Sequence, residues 1–186
     1  MVHRFHSPSN GLGLFWYSFD VGPVHIIMFS TEHHFEETSR QYAWLENDLK
    51  STNRSRTPWI IVGSHRPMFL SANDRVAHAI GDHLQSELEP LFYKYKVNIN
   101  LYAHIHAYER SCPMYKNTCV ADGITNVLIG MAGIGLSTMS PSPASWSRYH
   151  DEQFGYTAII ANRTHLHFRY HHNSDDSVAD QFILQK

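Results

Sequence analysis

Three histidines stand where two expected strands run out. His65 follows the apolar run Trp59-Ile60-Ile61-Val62, and His104 and His106 follow Val97–Tyr102 (VNINLY). Histidine titrates near neutrality, and its neutral ring is the commonest metal ligand. An HxH pair on extended backbone sends both rings to the same side, and a third imidazole from a neighbouring strand can converge on them. Three imidazoles at one sheet edge could hold a metal ion. Open α/β sheets place their sites at that edge, beyond the carboxyl ends of the strands. With 15 histidines among 186 residues, the others need their own readings. His165-Leu166-His167 repeats the spacing inside a run where Leu166, Phe168 and Tyr170 share one face and His165, His167 and Arg169 the other, as a half-solvated strand requires. His33-His34 and His171-His172 sit in polar, turn-like stretches and read as surface residues. His25, inside an apolar strand, reads as a satisfied core histidine.

The elements that must position these residues alternate. Leu14–Val21 and Val24–Thr31, joined by Gly22-Pro23, predict a β-hairpin. A helix capped by Thr38 or Ser39 follows, with Tyr42, Leu45 and Leu49 on one face. Trp59–Val62 suits a strand buried on both faces. A second helix over Val76–Tyr95 carries Ile80, Leu84, Leu88 and Leu91 on one stripe, with Pro90 as a kink. Strand Val97–Tyr102 ends in a histidine loop, Ala103–Arg110, and Val127-Leu128-Ile129 is followed by a Gly/Ser/Pro-rich loop through Ser147. Tyr156–Ala161, Thr164–Tyr170 and Asp180–Leu184 predict closing antiparallel strands. The alternation implies crossovers and a partly parallel sheet covered by helices, in one α/β domain over residues 1–186.

Composition narrows the classes. With 42% hydrophobic and 17% charged residues and a formal net charge of −2, the chain is globular and offers no electrostatic footprint for nucleic acid. The longest apolar runs are too short for a transmembrane helix, and no apolar segment follows the first residues as a signal peptide would need. Gly130-Met131-Ala132-Gly133-Ile134-Gly135 follows a strand without spelling GxGxxG, and no GxSxG occurs, so neither nucleotide cradling nor serine hydrolysis is supported. Asn53-Arg54-Ser55 and Asn162-Arg163-Thr164 are N-glycosylation sequons in turn-like positions. Cys112 and Cys119, the only cysteines, lie close together in a loop with Pro113 and Asn117.

Val62-Gly63-Ser64-His65-Arg66-Pro67-Met68-Phe69 resembles the VxxH motif of the purple acid phosphatases, and Ala103-His104-Ile105-His106-Ala107-Tyr108-Glu109-Arg110 resembles that family's GHxHxYER motif. The flanking WYSFDVGPVHIIMFSTEHHF, QYAWLENDL, CPMYKNTC, IGMAGIG and FGYTAIIANRTHLHF extend the likeness over nearly the whole chain, towards the larger plant and fungal-type enzymes. The resemblance implies a metallophosphoesterase-type sandwich of two mixed β-sheets flanked by helices, with the family's C-terminal region at about 125–186. It implies hydrolysis of phosphomonoesters at acidic pH by a ferric ion beside divalent zinc, manganese or iron, a phosphate ester substrate, and a secreted, vacuolar or lysosomal setting. His65 and His104 would bind the divalent ion and His106 the ferric ion. A Cys112–Cys119 disulfide is likewise implied, and fits an oxidising compartment.

The same comparison exposes departures. The family's GDxG, GDxxY and GNH[DE] motifs supply its remaining ligands, and all belong upstream of the region matched here. Gly81-Asp82-His83-Leu84-Gln85 is no substitute: it lies downstream of His65 in a helical pattern, with Gln in place of Tyr. The resemblance therefore implies the C-terminal portion of a catalytic domain, with its N-terminal half missing and no catalytic acid or base assigned. His78 or His83 could assist the leaving group. Two other readings compete: a phosphodiesterase or nucleotide pyrophosphatase of the same family, and a non-catalytic chain that holds at most one divalent ion.

Overall fold

A computed structural model describes residues 6–186. Strands β1 (Tyr17–Val21) and β2 (Val24–Met28) form the expected hairpin, followed by helix α1 (Arg40–Ser51), β3 (Trp59–Gly63), α2 (Arg75–Lys94) and β4 (Ile99–Tyr102). Next come β5 (Tyr108–Tyr115), β6 (Thr118–Cys119), β7 (Ile124–Ile129), β8 (Ser147–Asp151), β9 (Gly155–Ala161), β10 (His165–His172) and β11 (Val178–Gln185). The larger sheet runs β1-β2-β3-β4-β7-β5-β6, with β8 also paired to β5. Its centre is parallel, β2 with β3, β3 with β4 and β4 with β7. The smaller sheet, β11-β10-β9, is antiparallel throughout.

Local chemistry sets the boundaries. Ser39 caps α1 by accepting from the Tyr42 amide, and Asp74 caps α2 by accepting from the Val76 and Ala77 amides. The α2 helix continues through Pro90. Strand β3 is buried along its whole length because each face meets a different layer. Ile60 and Val62 pack with Leu45 and Leu49 of α1 and with Leu84, Leu88 and Phe92 of α2. Trp59 and Ile61 pack with Leu166, Phe168 and Tyr170 of β10. The result is the α/β sandwich that the sequence implies, with both helices on one face of the mixed sheet and the antiparallel sheet on the other.

Three expectations need correction. Ala103–Arg110 is irregular only as far as Ala107, because Tyr108-Glu109-Arg110 opens the eight-residue strand β5. Glu109 and Ser111 are buried there, and the register shifts between Arg110 and Pro113, so the polar residues and the bulge hide the two-residue period. The loop expected through Ser147 gives way at that residue to strand β8, Ser147–Asp151 (SRYHD), which pairs with β5 and whose sequence carries no aliphatic signal. The cysteines do not share a loop. Cys112 lies in β5 and Cys119 in β6, on opposite arms of a hairpin that turns at Lys116 and Asn117, both with positive φ, and a disulfide joins them.

His25 is satisfied, as expected of a core histidine. Its Nδ1 lies 2.6 Å from Asp20 Oδ1 and its Nε2 2.8 Å from Asp48 Oδ2, tying the β1–β2 hairpin to α1. Burial pulls its pKa down, but the Asp48 and Asp20 carboxylates outweigh burial and hold it above the usual 6.5. A raised folded-state value means that this stabilisation is fully present below the unfolded pKa and is lost as pH rises through the folded one. His25→Gln should therefore lower the urea midpoint more at pH 5 than at pH 8.5. Equal losses at the two pH values would refute charge pairing at this ring.

Candidate metal centre

Strands β3 and β4 are parallel neighbours in register, Ile61 opposite Ile99 and Gly63 opposite Leu101, joined by the α2 crossover. Their carboxyl ends share one sheet edge, which brings the two histidine loops together. The Ala103 amide donates to the His65 carbonyl at 3.0 Å, and the Ser64 amide to the Leu101 carbonyl at 3.0 Å. Helix α2 crowds the same region: a Cβ on Gly81 would lie 3.0 Å from the Met68 carbonyl oxygen. From the far side, a Cβ on Gly130 would lie 2.0 Å from the Ile105 carbonyl oxygen, so only glycine fits where the β7 end passes this loop.

Within this frame His65 Nε2 and His104 Nδ1 are 3.1 Å apart, with ring centroids at 4.9 Å. Two nitrogens each bound about 2.0–2.1 Å from one ion lie roughly 2.9–3.4 Å apart, so the pair suits a single shared divalent cation. His104 holds φ +67°, a region costly for a residue with a Cβ and often found at ligand-binding positions. Burial, then the nearby Arg66 and His65 charges, push the His104 pKa below 6.5, which favours the neutral ring that ligates metal.

His106 does not join them. Its ring Nδ1 lies 3.1 Å from the Gly135 carbonyl, and its amide donates to Ser137 Oγ at 3.0 Å. Among the described residues no group of three or more His, Cys, Asp or Glu is arranged to hold a metal ion. The side chains present therefore bring two imidazoles together and do not assemble a dinuclear centre.

The remaining candidates lie elsewhere. His165 and His167 are half-exposed on β10, with Leu166, Phe168 and Tyr170 buried between and beyond them, as the alternation requires. His78 is bonded to the Ala72 carbonyl at 2.8 Å, and exposed His83 packs on Phe35. Asn53 and Asn162 are exposed, and their Oδ1 atoms accept from Ser55 Oγ at 2.7 Å and Thr164 Oγ1 at 3.1 Å.

The residues that support the pair and its loops escaped the sequence reading. Arg66 approaches His104 Nε2 with Nη1 at 3.5 Å, and its other edge is held by Glu32, Nε to Oε1 at 2.8 Å. Glu109 is buried and accepts from the Ser71 amide at 3.0 Å, which steadies the segment after His65. Tyr108 Oη and Arg110 Nε both donate to Asp180 Oδ2, at 2.8 and 2.6 Å, and Arg110 Nη2 donates to Oδ1 at 2.8 Å. The histidine loop is thus pinned from behind to β11. Arg66, Glu109 and Arg110 lay inside the quoted motifs. Asp180 carried no signal beyond being an acid at an inward strand position.

Comparison with known proteins gives the family. Residues 7–108 match the calcineurin-like phosphoesterase family, and residues 123–181 match the iron/zinc purple acid phosphatase-like C-terminal family. The chain belongs to the purple acid phosphatases. It is 39% identical over 214 residues to human acid phosphatase type 7, covering 98% of this chain and 48% of that protein. It is 37% identical over 180 residues to a probable inactive purple acid phosphatase 9 of Arabidopsis thaliana, covering 89% of this chain and 28% of that protein. A purple acid phosphatase from yellow lupin seeds superposes with a TM-score of 0.88 at 32% identity, over 97% of this chain and 34% of the lupin chain. The chain thus spans about half, or less, of the length of these relatives.

Proposed function

We propose that this purple acid phosphatase chain contributes to the hydrolysis of phosphomonoesters in an acidic compartment, and that His65 and His104 hold a divalent metal ion. The observation that carries the reading is the 3.1 Å convergence of His65 Nε2 and His104 Nδ1 at the shared edge of two parallel strands. A divalent ion held there would supply Lewis acidity towards a phosphoryl oxygen. This chain's own part is narrower. The β3 and β4 ends orient two imidazoles, burial favours the neutral form of His104, and Glu109 and Arg110 hold the loops that carry them. The ferric-ligand role implied for His106 is not part of the proposal, because no group of three ligands assembles among the described residues.

The absence of a three-ligand group among the described residues favours a second reading, a chain that holds one divalent ion without catalysing. Secretion or delivery to a vacuole or lysosome is supported by the Cys112–Cys119 bridge and by the exposure of both sequons. No helix among the described residues is long and apolar enough to cross a membrane.

Zinc titration by calorimetry tests the site. His65→Ala and His104→Ala should each weaken zinc binding by about tenfold or more, while His165→Ala and His167→Ala leave it unchanged. Equal zinc affinity in all four variants would overturn the assignment.

A further inference from the structure

Arg66 sits at the histidine pair in an arrangement that an ordinary surface ion pair does not require. Its backbone amide donates to Thr31 Oγ1 at 3.1 Å, and its Nε and Nη2 donate to the two Glu32 oxygens at 2.8 and 3.3 Å. Glu32 thereby occupies one edge of the guanidinium, in the bidentate geometry that fixes the orientation of the planar group. Among the described residues Nη1, on the opposite edge, has no anionic partner. It points towards the histidines and meets His104 Nε2 at 3.5 Å, a marginal contact with an imidazole. The side chain is largely covered, with 22% of its surface exposed, so the orientation does not rest on a freely rotating arm.

The charges require something more. A cation held by His65 and His104 would stand within a few ångströms of a permanent guanidinium charge, and like charges that close repel. The Glu32 carboxylate faces the far edge of the guanidinium and is half-exposed, and it and Asp74 offset only part of that repulsion from across the site. An anion lying between Nη1 and the ion satisfies both groups at once. Arginine is suited to this because its fixed fork matches the oxygens of a phosphoryl group.

Building on the metal reading above, we propose that Arg66, braced by Glu32, binds an oxygen of the phosphoryl group presented at the His65–His104 pair. The ligand class is a phosphate monoester or its inorganic phosphate product. Arg66 then acts as a substrate-binding residue whose orientation is set before the ligand arrives.

The test is calorimetric titration of inorganic phosphate into the full 186-residue chain, with and without zinc, for the wild type, Arg66→Gln and Arg66→Lys. Zinc binding is measured first on each protein, and circular dichroism checks folding. Arg66→Gln should retain zinc yet bind phosphate about tenfold or more weakly, and Arg66→Lys, which keeps the charge but loses the fork, should fall between. Arg66→Lys also preserves the charge opposite Glu32, so it remains informative if Arg66→Gln fails to fold. Wild-type phosphate affinity in both variants overturns the proposal, and so does failure of the wild type to bind phosphate in either condition. If the wild type binds no zinc, the metal reading falls. The metal-free titration then decides Arg66 alone: weaker phosphate binding in the variants supports it, and parity overturns it.

Discussion

Replacing Asp180 with alanine should destabilise the chain by about 3–5 kcal/mol, a large share of the 5–15 kcal/mol that holds a typical domain folded. The Asp180 side chain is 8% exposed and accepts from Tyr108 Oη and from both Arg110 Nε and Nη2. Tyr108 is fully buried and stacked on Tyr170 at 4.1 Å. Arg110 lies under Phe182, and the opposing Asp180 carboxylate outweighs the effect of burial to hold its pKa above the usual value. Removing the carboxylate leaves a largely buried guanidinium and a buried phenol without their acceptor, and such unpartnered groups cost far more than the pair gains. Chemical denaturation should show a much lower midpoint for Asp180→Ala, with Asp180→Asn intermediate. The double variant Asp180→Leu/Arg110→Met, which removes both charges, should recover part of the loss. A loss under about 1 kcal/mol in Asp180→Ala would mean that the pair behaves like a solvated surface contact.

Assayed alone on p-nitrophenyl phosphate at acidic pH, with iron, zinc or manganese supplied, the chain should turn over at least about a thousandfold more slowly than an intact purple acid phosphatase. Two converging imidazoles can hold one ion, but a phosphoryl clamp needs two cations side by side, bridged by a hard oxygen ligand. Among the described residues no acidic group completes such a set, and Glu32 is committed to Arg66. Joined in frame to a segment carrying GDxG, GDxxY and GNH sequences, the chain should gain turnover, which His104→Ala should then abolish. Turnover by the chain alone at the rate of an intact enzyme would show that the missing ligands are dispensable.

The amino-acid sequence alone was sufficient for much of this. Trp59–Val62 announced a strand buried on both faces because every residue in it is apolar, and Ser39 stands where a helix cap belongs. Strand, helix and strand from Trp59 to Tyr102 implied a parallel pair, because such a crossover returns the chain in the same direction. That was enough to put both histidines on one edge. The HxH at His165 and His167 was separable from the other by its alternation alone. What failed were the strands whose residues are polar or bulged. Glu109, Arg110 and Ser111 sit in β5, and Ser147–Asp151 forms β8, because neighbouring strands and distant partners satisfy their polar groups. Local patterning has no access to partners 70 residues away. The tertiary structure alone decided which two of the three histidines converge. His104 and His106 share a short loop, but its backbone at His104 enters the left-handed region, so the strand-like HxH geometry does not apply there. One ring then turns to His65 and the other to the Gly135 carbonyl.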